Sequence, residues 1–278
     1  MRKFILQSLL FTLPLMLLLP GWYYLLTKTV YGNYKILNFQ VAKLKRQQGK
    51  HFNTIYIGDS GGGYAISTKK DSSSINLCLT GTFGYGGLIS FLDIIDQYIT
   101  YDTVIVMNII HMPTQKVRKE ARWVAELHSK DLVKQFNSVI QSNKFGLEII
   151  ISIFSEGLNF DESDPSDYPV SYGKTKEVFN GFKLNINPEK ISVMKELNDK
   201  LMRSGHKFIF LYGPTLPFDH KYLDNLNDTL KKRGIKHAFN DPFIMQEDSK
   251  GDTNAHIHPD FRDSVTRFYR NMIEKAEF

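Results

Sequence analysis

Asn53-Thr54-Ile55-Tyr56-Ile57-Gly58-Asp59-Ser60-Gly61-Gly62-Gly63 is the stretch whose reading decides the fold. Thr54–Ile57 is a short β-branched and aromatic run, which reads as a buried strand. It stops at Gly-Asp-Ser and three glycines, the composition of a tight turn whose backbone takes conformations closed to other residues. Open α/β sheets place their sites at the carboxyl ends of their strands. A serine at that junction is therefore a candidate nucleophile, and Ser60 is the centre of the expected site.

The same alternation continues outward. Tyr64–Lys70 reads as the start of a helix, Ile75–Leu79 as a second strand ending in Thr80-Gly81-Thr82, and Leu88–Tyr98 as a helix with apolar residues at helical spacing. Thr103–Met107 is a third strand that ends at Asn108. Strand and helix alternating within about 60 residues predicts an α/β fold, with a central parallel sheet sandwiched between two helical layers. Further on, Asn187-Pro188 begins a helix that Ser204-Gly205 closes. Lys207–Tyr212 is a strand, Tyr222–Arg233 a helix, Gly234–Phe239 a final short strand and Phe261–Lys275 an amphipathic helix. Residues 112–187 are less regular and read as an insertion. Within it Pro113–Asn143 looks helical, and Phe145–Phe154 is an apolar run, either a core helix or a cover over a site.

The N-terminus has a different character. Met1-Arg2-Lys3 precedes an uncharged stretch, Phe4–Thr27, with Trp22, Tyr23 and Tyr24 near its far end. About 20 apolar residues suffice to cross a bilayer, so this stretch reads as a transmembrane helix over residues 1–29. Its flanking basic residues place the N-terminus in the cytoplasm and the domain on the extracytoplasmic side. A cleaved signal peptide is the competing reading; its apolar core would be shorter and followed by small residues. Residues 30–50 are basic and read as a juxtamembrane linker helix, which leaves 51–278 as the folded domain.

The 278 residues carry a formal charge of +6, with the basic residues scattered and no nucleic-acid-binding module. Cys78 is the single cysteine, which excludes an internal disulfide and a multi-cysteine metal site; it sits in an apolar run and reads as a small buried hydrophobe.

A serine nucleophile needs a base and a group to orient that base. His256 and His258 lie in a polar loop just before the last helix, with Asp252 and Asp260 on either side. Such a loop can reach across the strand ends to Ser60. A metal site using His111, His256, His258 and Asp252 is a competing reading of the same residues.

Gly58-Asp59-Ser60 near the start of the domain and Asp252-to-Pro259 near its end together resemble the SGNH (GDSL-type) hydrolase superfamily, over most of residues 53–275. The resemblance implies an SGNH, flavodoxin-like three-layer fold and an acyl-serine mechanism needing no cofactor. It implies Ser60 as nucleophile, His256 as base with His258 the alternative, and Asp252 as the orienting acid. It also implies oxyanion donors at Gly81 and Asn108. Two departures stand out. The family usually places Asp three residues before its histidine, where this chain has Thr253, and Asn108 lacks the usual Gly-x-Asn-Asp setting. The anchor and the long insertion resemble a subgroup acting on envelope polymers, among them the alginate O-acetyltransferases and the D-alanyl transfer protein of teichoic acid synthesis. The implied substrate is an envelope polysaccharide or glycolipid. A membrane-embedded acyl donor protein is the implied partner. A catalytically inactive member that binds glycan or an assembly partner is the alternative.

Overall fold

The computed structural model of the chain describes residues 18–29, 32–108, 119–156, 186–218, 220–251, 256–276 and 278. Four parallel strands form its sheet: β1 (His51–Gly58), β2 (Ser74–Asn76), β3 (Thr100–Asn108) and β4 (Lys207–Tyr212), in the order β2-β1-β3-β4. Ile55, Tyr56 and Ile57 of β1 are all buried, as are Val104–Met107 of β3 and Phe208–Tyr212 of β4. Side chains alternate between faces along a strand, so such runs require cover on both sides. The cover is helical. A helix over 18–28, called α1, and α2 (Gly32–Arg46) precede the sheet. Next come α3 (Ser60–Ala65), α4 (Gly84–Ile95), α5 (Lys119–Ala125), α6 (Leu132–Gln141) and α7 (Gly146–Glu156). The last are α8 (Pro188–Ser204), α9 (His220–Lys232) and α10 (Arg262–Glu274).

The chain leaves β1 to one side and returns on the other, so the strand order reverses between β1 and β3. Crevices at the carboxyl ends of strands flanking such a reversal are where open α/β sheets bind ligands. β1 and β3 approach unusually closely there. Gly58 has φ +149°, and a Cβ at this position would lie 1.7 Å from the Met107 carbonyl oxygen. Only glycine fits this backbone and this spacing.

Both sheet edges are covered, which protects unpaired strand edges. On the β2 side, Gln40 donates to the Cys78 carbonyl (2.7 Å) and the buried Lys43 to the Asn76 carbonyl (2.9 Å). The described part of the expected linker, from residue 32 on, is thus not free: α2 buries Ile36, Leu37, Val41 and Leu44 in the domain core. On the β4 side the expected fifth strand is absent. The segment makes only a bridge between Phe210 and His237, because it turns away at once. His237 Nδ1 accepts the Phe239 amide (2.8 Å), and Phe239 takes φ +50°. Asn240 then closes the edge with two bonds to the Tyr212 backbone.

Other differences are shifts of boundary. The second strand is Ser74–Asn76 rather than Ile75–Leu79, although the Leu77 and Leu79 amides still bond to the Tyr56 and Gly58 carbonyls. α3 begins at Ser60 itself, four residues before the expected start, because Asp59 caps it. α8 starts with Asn187 accepting the Glu189 amide and ends at Gly205 with φ +77°, as its sequence predicts. Within 112–187, α5, α6 and α7 are described and 157–185 are not. Phe145–Phe154 is neither a core helix nor an internal cover: Ile149 is buried, but Leu147, Ile150, Ile151 and Phe154 are exposed. Residues 1–17, which hold most of the expected membrane span, lie outside the described residues; among the described residues no helix is long and apolar enough to cross a membrane.

Two outcomes follow from these contacts. Gly58→Ala should destabilise the fold by about 3 kcal/mol or more, from strain plus overpacking against β3; a change under about 1 kcal/mol in urea unfolding would contradict the close approach. The second concerns acid. Burial holds the imidazole of His237 down to about 3, and burial with nearby Lys45 holds that of His128 down to about 3 as well. Unfolded histidine titrates near 6.5, so the unfolded chain binds more protons between about pH 6.5 and 3. Stability is fully present above pH 6.5 and falls across that window. His237→Asn keeps an acceptor for the Phe239 amide without a titrating ring, and should flatten the decline in urea midpoint between pH 6.5 and 4; an unchanged slope would contradict it.

Candidate active site

Ser60 stands at the first position of α3, directly after β1. Asp59, fully buried, accepts the amides of Gly61 (2.9 Å) and Gly62 (3.3 Å), and its own amide donates to the Met107 carbonyl (3.2 Å). A capping carboxylate of this kind satisfies helix amides that would otherwise lack partners. The Asp of Gly-Asp-Ser therefore holds the turn, and Ser60, partly exposed, is the residue it presents. Gly62 is also closely packed, though less tightly than Gly58: a Cβ there would lie 3.0 Å from both the Cβ and the carbonyl oxygen of Met107, and 3.2 Å from Cys78 Sγ.

Thr80-Gly81-Thr82 lies beside this turn, because the Leu79 amide still pairs with the Gly58 carbonyl (2.9 Å). A Cβ on Gly81 would sit 3.9 Å from the Asp59 Cβ. Asn33 of α2 fixes the turn from behind, its Oδ1 accepting the hydroxyls of Thr80 and Thr82. Asn108 is the last residue of β3. Met107 pairs in register with Gly58, so Asn108 stands level with Asp59 across strands about 5 Å apart. Its side chain is 5 % exposed and its Oδ1 has no hydrogen-bond partner. An unsatisfied buried carbonyl oxygen costs free energy, of the order of 1–3 kcal/mol; it accepts, and the Nδ2 group is the donor this side chain could offer.

His256 is held at the end of a short bridge. Lys250 pairs antiparallel with Ile257, and the Gly251 amide donates to the His256 carbonyl (2.7 Å). The imidazole stacks on Tyr64, ring centroids 3.8 Å apart and planes within 4°. Tyr64 is four residues after Ser60 on α3, and residues at that spacing share a helix face. His256 is thereby held against α3 by a residue one turn, about 6 Å, after Ser60 along the helix. His258 is differently employed. Its Nδ1 accepts the Asp260 amide (3.4 Å) and lies 3.4 Å from the Asp260 carboxylate, capping the turn Pro259–Phe261. Asp252 and His111 lie outside the described residues. Among the described residues no group of three histidine, cysteine or acidic side chains is placed to hold a metal ion.

Two residues that position the site carry no motif. Tyr64 supplies the seat for His256; the only sequence signal is one aromatic residue in a glycine-rich helix, four positions after Ser60. Arg262, the first residue of α10, donates through Nη2 to the carbonyls of Gly63 and Ile66, 2.7 Å each. Thr266, one turn later, donates to the Ala65 carbonyl (2.9 Å) and accepts the Ser67 amide (2.9 Å). These contacts lock the helix that follows the histidine loop to the helix that carries Ser60.

Electrostatics separates the groups further. Burial, reinforced by the neighbouring Asp59 carboxylate, pushes the Cys78 thiol and the Tyr85 phenol well up. Neither ionises near neutral pH, so Cys78 is not a competing nucleophile. Ser60 and His256 are both partly exposed. No family model, curated protein or solved structure matches the chain.

Proposed function

We propose that the chain is a serine-dependent acyl esterase or O-acyltransferase acting on an envelope polysaccharide or glycolipid, with an SGNH-type, flavodoxin-like fold. One observation carries this reading. Ser60 is presented by a capped turn at the switch point of the sheet, at the start of the helix whose Tyr64 seats the His256 ring. Gly81 and Asn108 border the same turn.

The roles follow from chemistry. Ser60 Oγ attacks an acyl carbonyl while His256 accepts its proton. The negative charge that develops on the carbonyl oxygen is met by the backbone amides of Ser60 and Gly81 and by the Asn108 side chain. Collapse breaks the ester bond, and His256 returns the proton to the departing alcohol. Water or a sugar hydroxyl then attacks the acyl-serine, again giving up its proton to His256, and the free serine is restored. Asp252 is the acid assigned to orient the imidazole. The uncharged stretch Phe4–Thr27 is assigned as the membrane anchor, which favours a polymeric or lipid-linked acceptor, since a small soluble ester needs no anchor. A membrane-embedded acyl donor protein fits the same arrangement. Thr253 in the place of the usual acid favours the second reading, a non-catalytic site that binds glycan.

The test is pre-steady-state turnover of an activated acetyl ester. The wild-type chain should show a burst of one alcohol per chain, and Ser60→Ala should lose both burst and turnover. Asn108→Ala should slow acylation by about 10²–10³-fold, the usual effect of removing one oxyanion donor. Turnover unchanged in Ser60→Ala would refute the proposal, and a wild-type chain without burst or turnover would favour the binding role.

A further inference from the structure

α7 presents Leu147, Ile150, Ile151 and Phe154 to solvent, Phe154 at 87 % exposure. Their spacing is i, i+3, i+4 and i+7, so they form one continuous apolar stripe on an amphipathic helix. α6 adds Leu132, Val133 and Phe136, all more than half exposed. Soluble domains seldom leave such an area uncovered; large exposed apolar patches mark interaction surfaces.

The neighbour of this patch identifies what covers it. α1, the described end of the uncharged stretch Phe4–Thr27, packs against the same elements. Trp22 donates to Ser142 Oγ (2.7 Å), and Leu19, Pro20 and Tyr23 line with α6 an apolar groove of about 580 Å³. If the stretch is the anchor, its first fourteen residues, Phe4–Leu17, are too few to cross the hydrocarbon core, which takes about 20. The bilayer must then reach into 18–24, the level at which α6 meets α1.

We infer that α6 and α7 lie in the membrane interface beside the anchor, with the apolar stripe of α7 inserted among the lipid acyl chains. Interfacial helices bury their apolar face in this way, in proportion to apolar area and to attraction for anionic lipid. Charge contributes little here. Residues 130–156 carry Lys130, Lys134 and Lys144 against Asp131, Glu148 and Glu156. Neutral phosphatidylcholine is therefore sufficient. The surface converts a single tether into a fixed mount, holding the domain at one height over the membrane. The inference rests on the anchor assignment and is independent of the acyl chemistry.

The test uses the full chain in phosphatidylcholine vesicles. Native Cys78 is fully buried and stays unlabelled. Ile150→Cys and Phe154→Cys, each carrying an environment-sensitive fluorophore, are compared with Lys231→Cys on α9. Spin-labelled lipid should quench the probes at 150 and 154 by about twofold or more and leave the probe at 231 unaffected. A carbonate wash reads the anchor separately. Chain retained after the wash with 150 and 154 unquenched overturns the inference and keeps the anchor. Chain released by the wash overturns the anchor, and the inference that rests on it, even where the probes were quenched before the wash. Probes shielded by a second copy, shown by crosslinking at 154 without lipid quenching, also overturn the inference.

Discussion

The Arg262 guanidinium, 6 % exposed, lies across the last turn of α3 and donates to the carbonyls of Gly63 and Ile66. Asn76 of β2 donates to the same two carbonyls from the sheet side (3.1 and 2.7 Å). Helix carbonyls at a C-terminus lack intrahelical partners and carry partial negative charge, so they suit a buried cation. Hydrogen bonds to a charged group are each worth about 1.5–3 kcal/mol, and they also offset the cost of burying the charge. This contact joins β2, the serine helix and the closing helix, which are far apart in sequence. With the Thr266 bonds and the stack of His256 on Tyr64, it fixes the histidine loop relative to the helix that carries Ser60.

Around that clamp the site is assembled by close backbone approach. Gly58 and Gly62 allow β1 and α3 to lie against Met107, and Asp59 replaces solvent as the acceptor for the α3 amides. Three separated segments then end at one place: the Gly58-to-Ser60 turn, the Thr80-to-Thr82 turn pinned by Asn33, and Asn108 at the end of β3. Each is held by neighbouring backbone or by a structural side chain such as Asp59 or Asn33, not by the side chain that would do chemistry. That leaves Ser60 and the Asn108 amide without structural duties of the kind that tie up His258.

Much of this is legible in the sequence. β1, β3 and β4 are buried on both faces along their later residues, so the continuous β-branched and aromatic runs there announce them. The caps of α8 are local chemistry and read directly from Asn187, Pro188 and Gly205. What local patterns cannot show is competition between segments. Gly234–Phe239 has the composition of a strand, but the bond from the Phe239 amide to the His237 ring bends it away from β4. α2 looks polar enough to be a linker because Gln40 and Lys43 bond to buried carbonyls at the sheet edge. Ser60 and His256 could be nominated because their residue types and order carry meaning. Tyr64 and Arg262 could not, since stacking and carbonyl capping leave no fixed spacing. The apolar stripe of α7 is visible as a run, but its exposure depends on what packs beside it.

The central claim is that Ser60 is a nucleophile activated by the histidine seated on Tyr64. Fluorophosphonate labelling, read by intact mass and peptide mapping, tests it most directly, because the reagent reports nucleophilic serine without requiring the natural substrate. A single adduct is expected on the peptide containing Ser60, formed at least about tenfold more slowly in His256→Ala and at an unaltered rate in His258→Ala if each variant stays folded. No adduct on Ser60, or equal labelling rates in the wild type and His256→Ala, would contradict it.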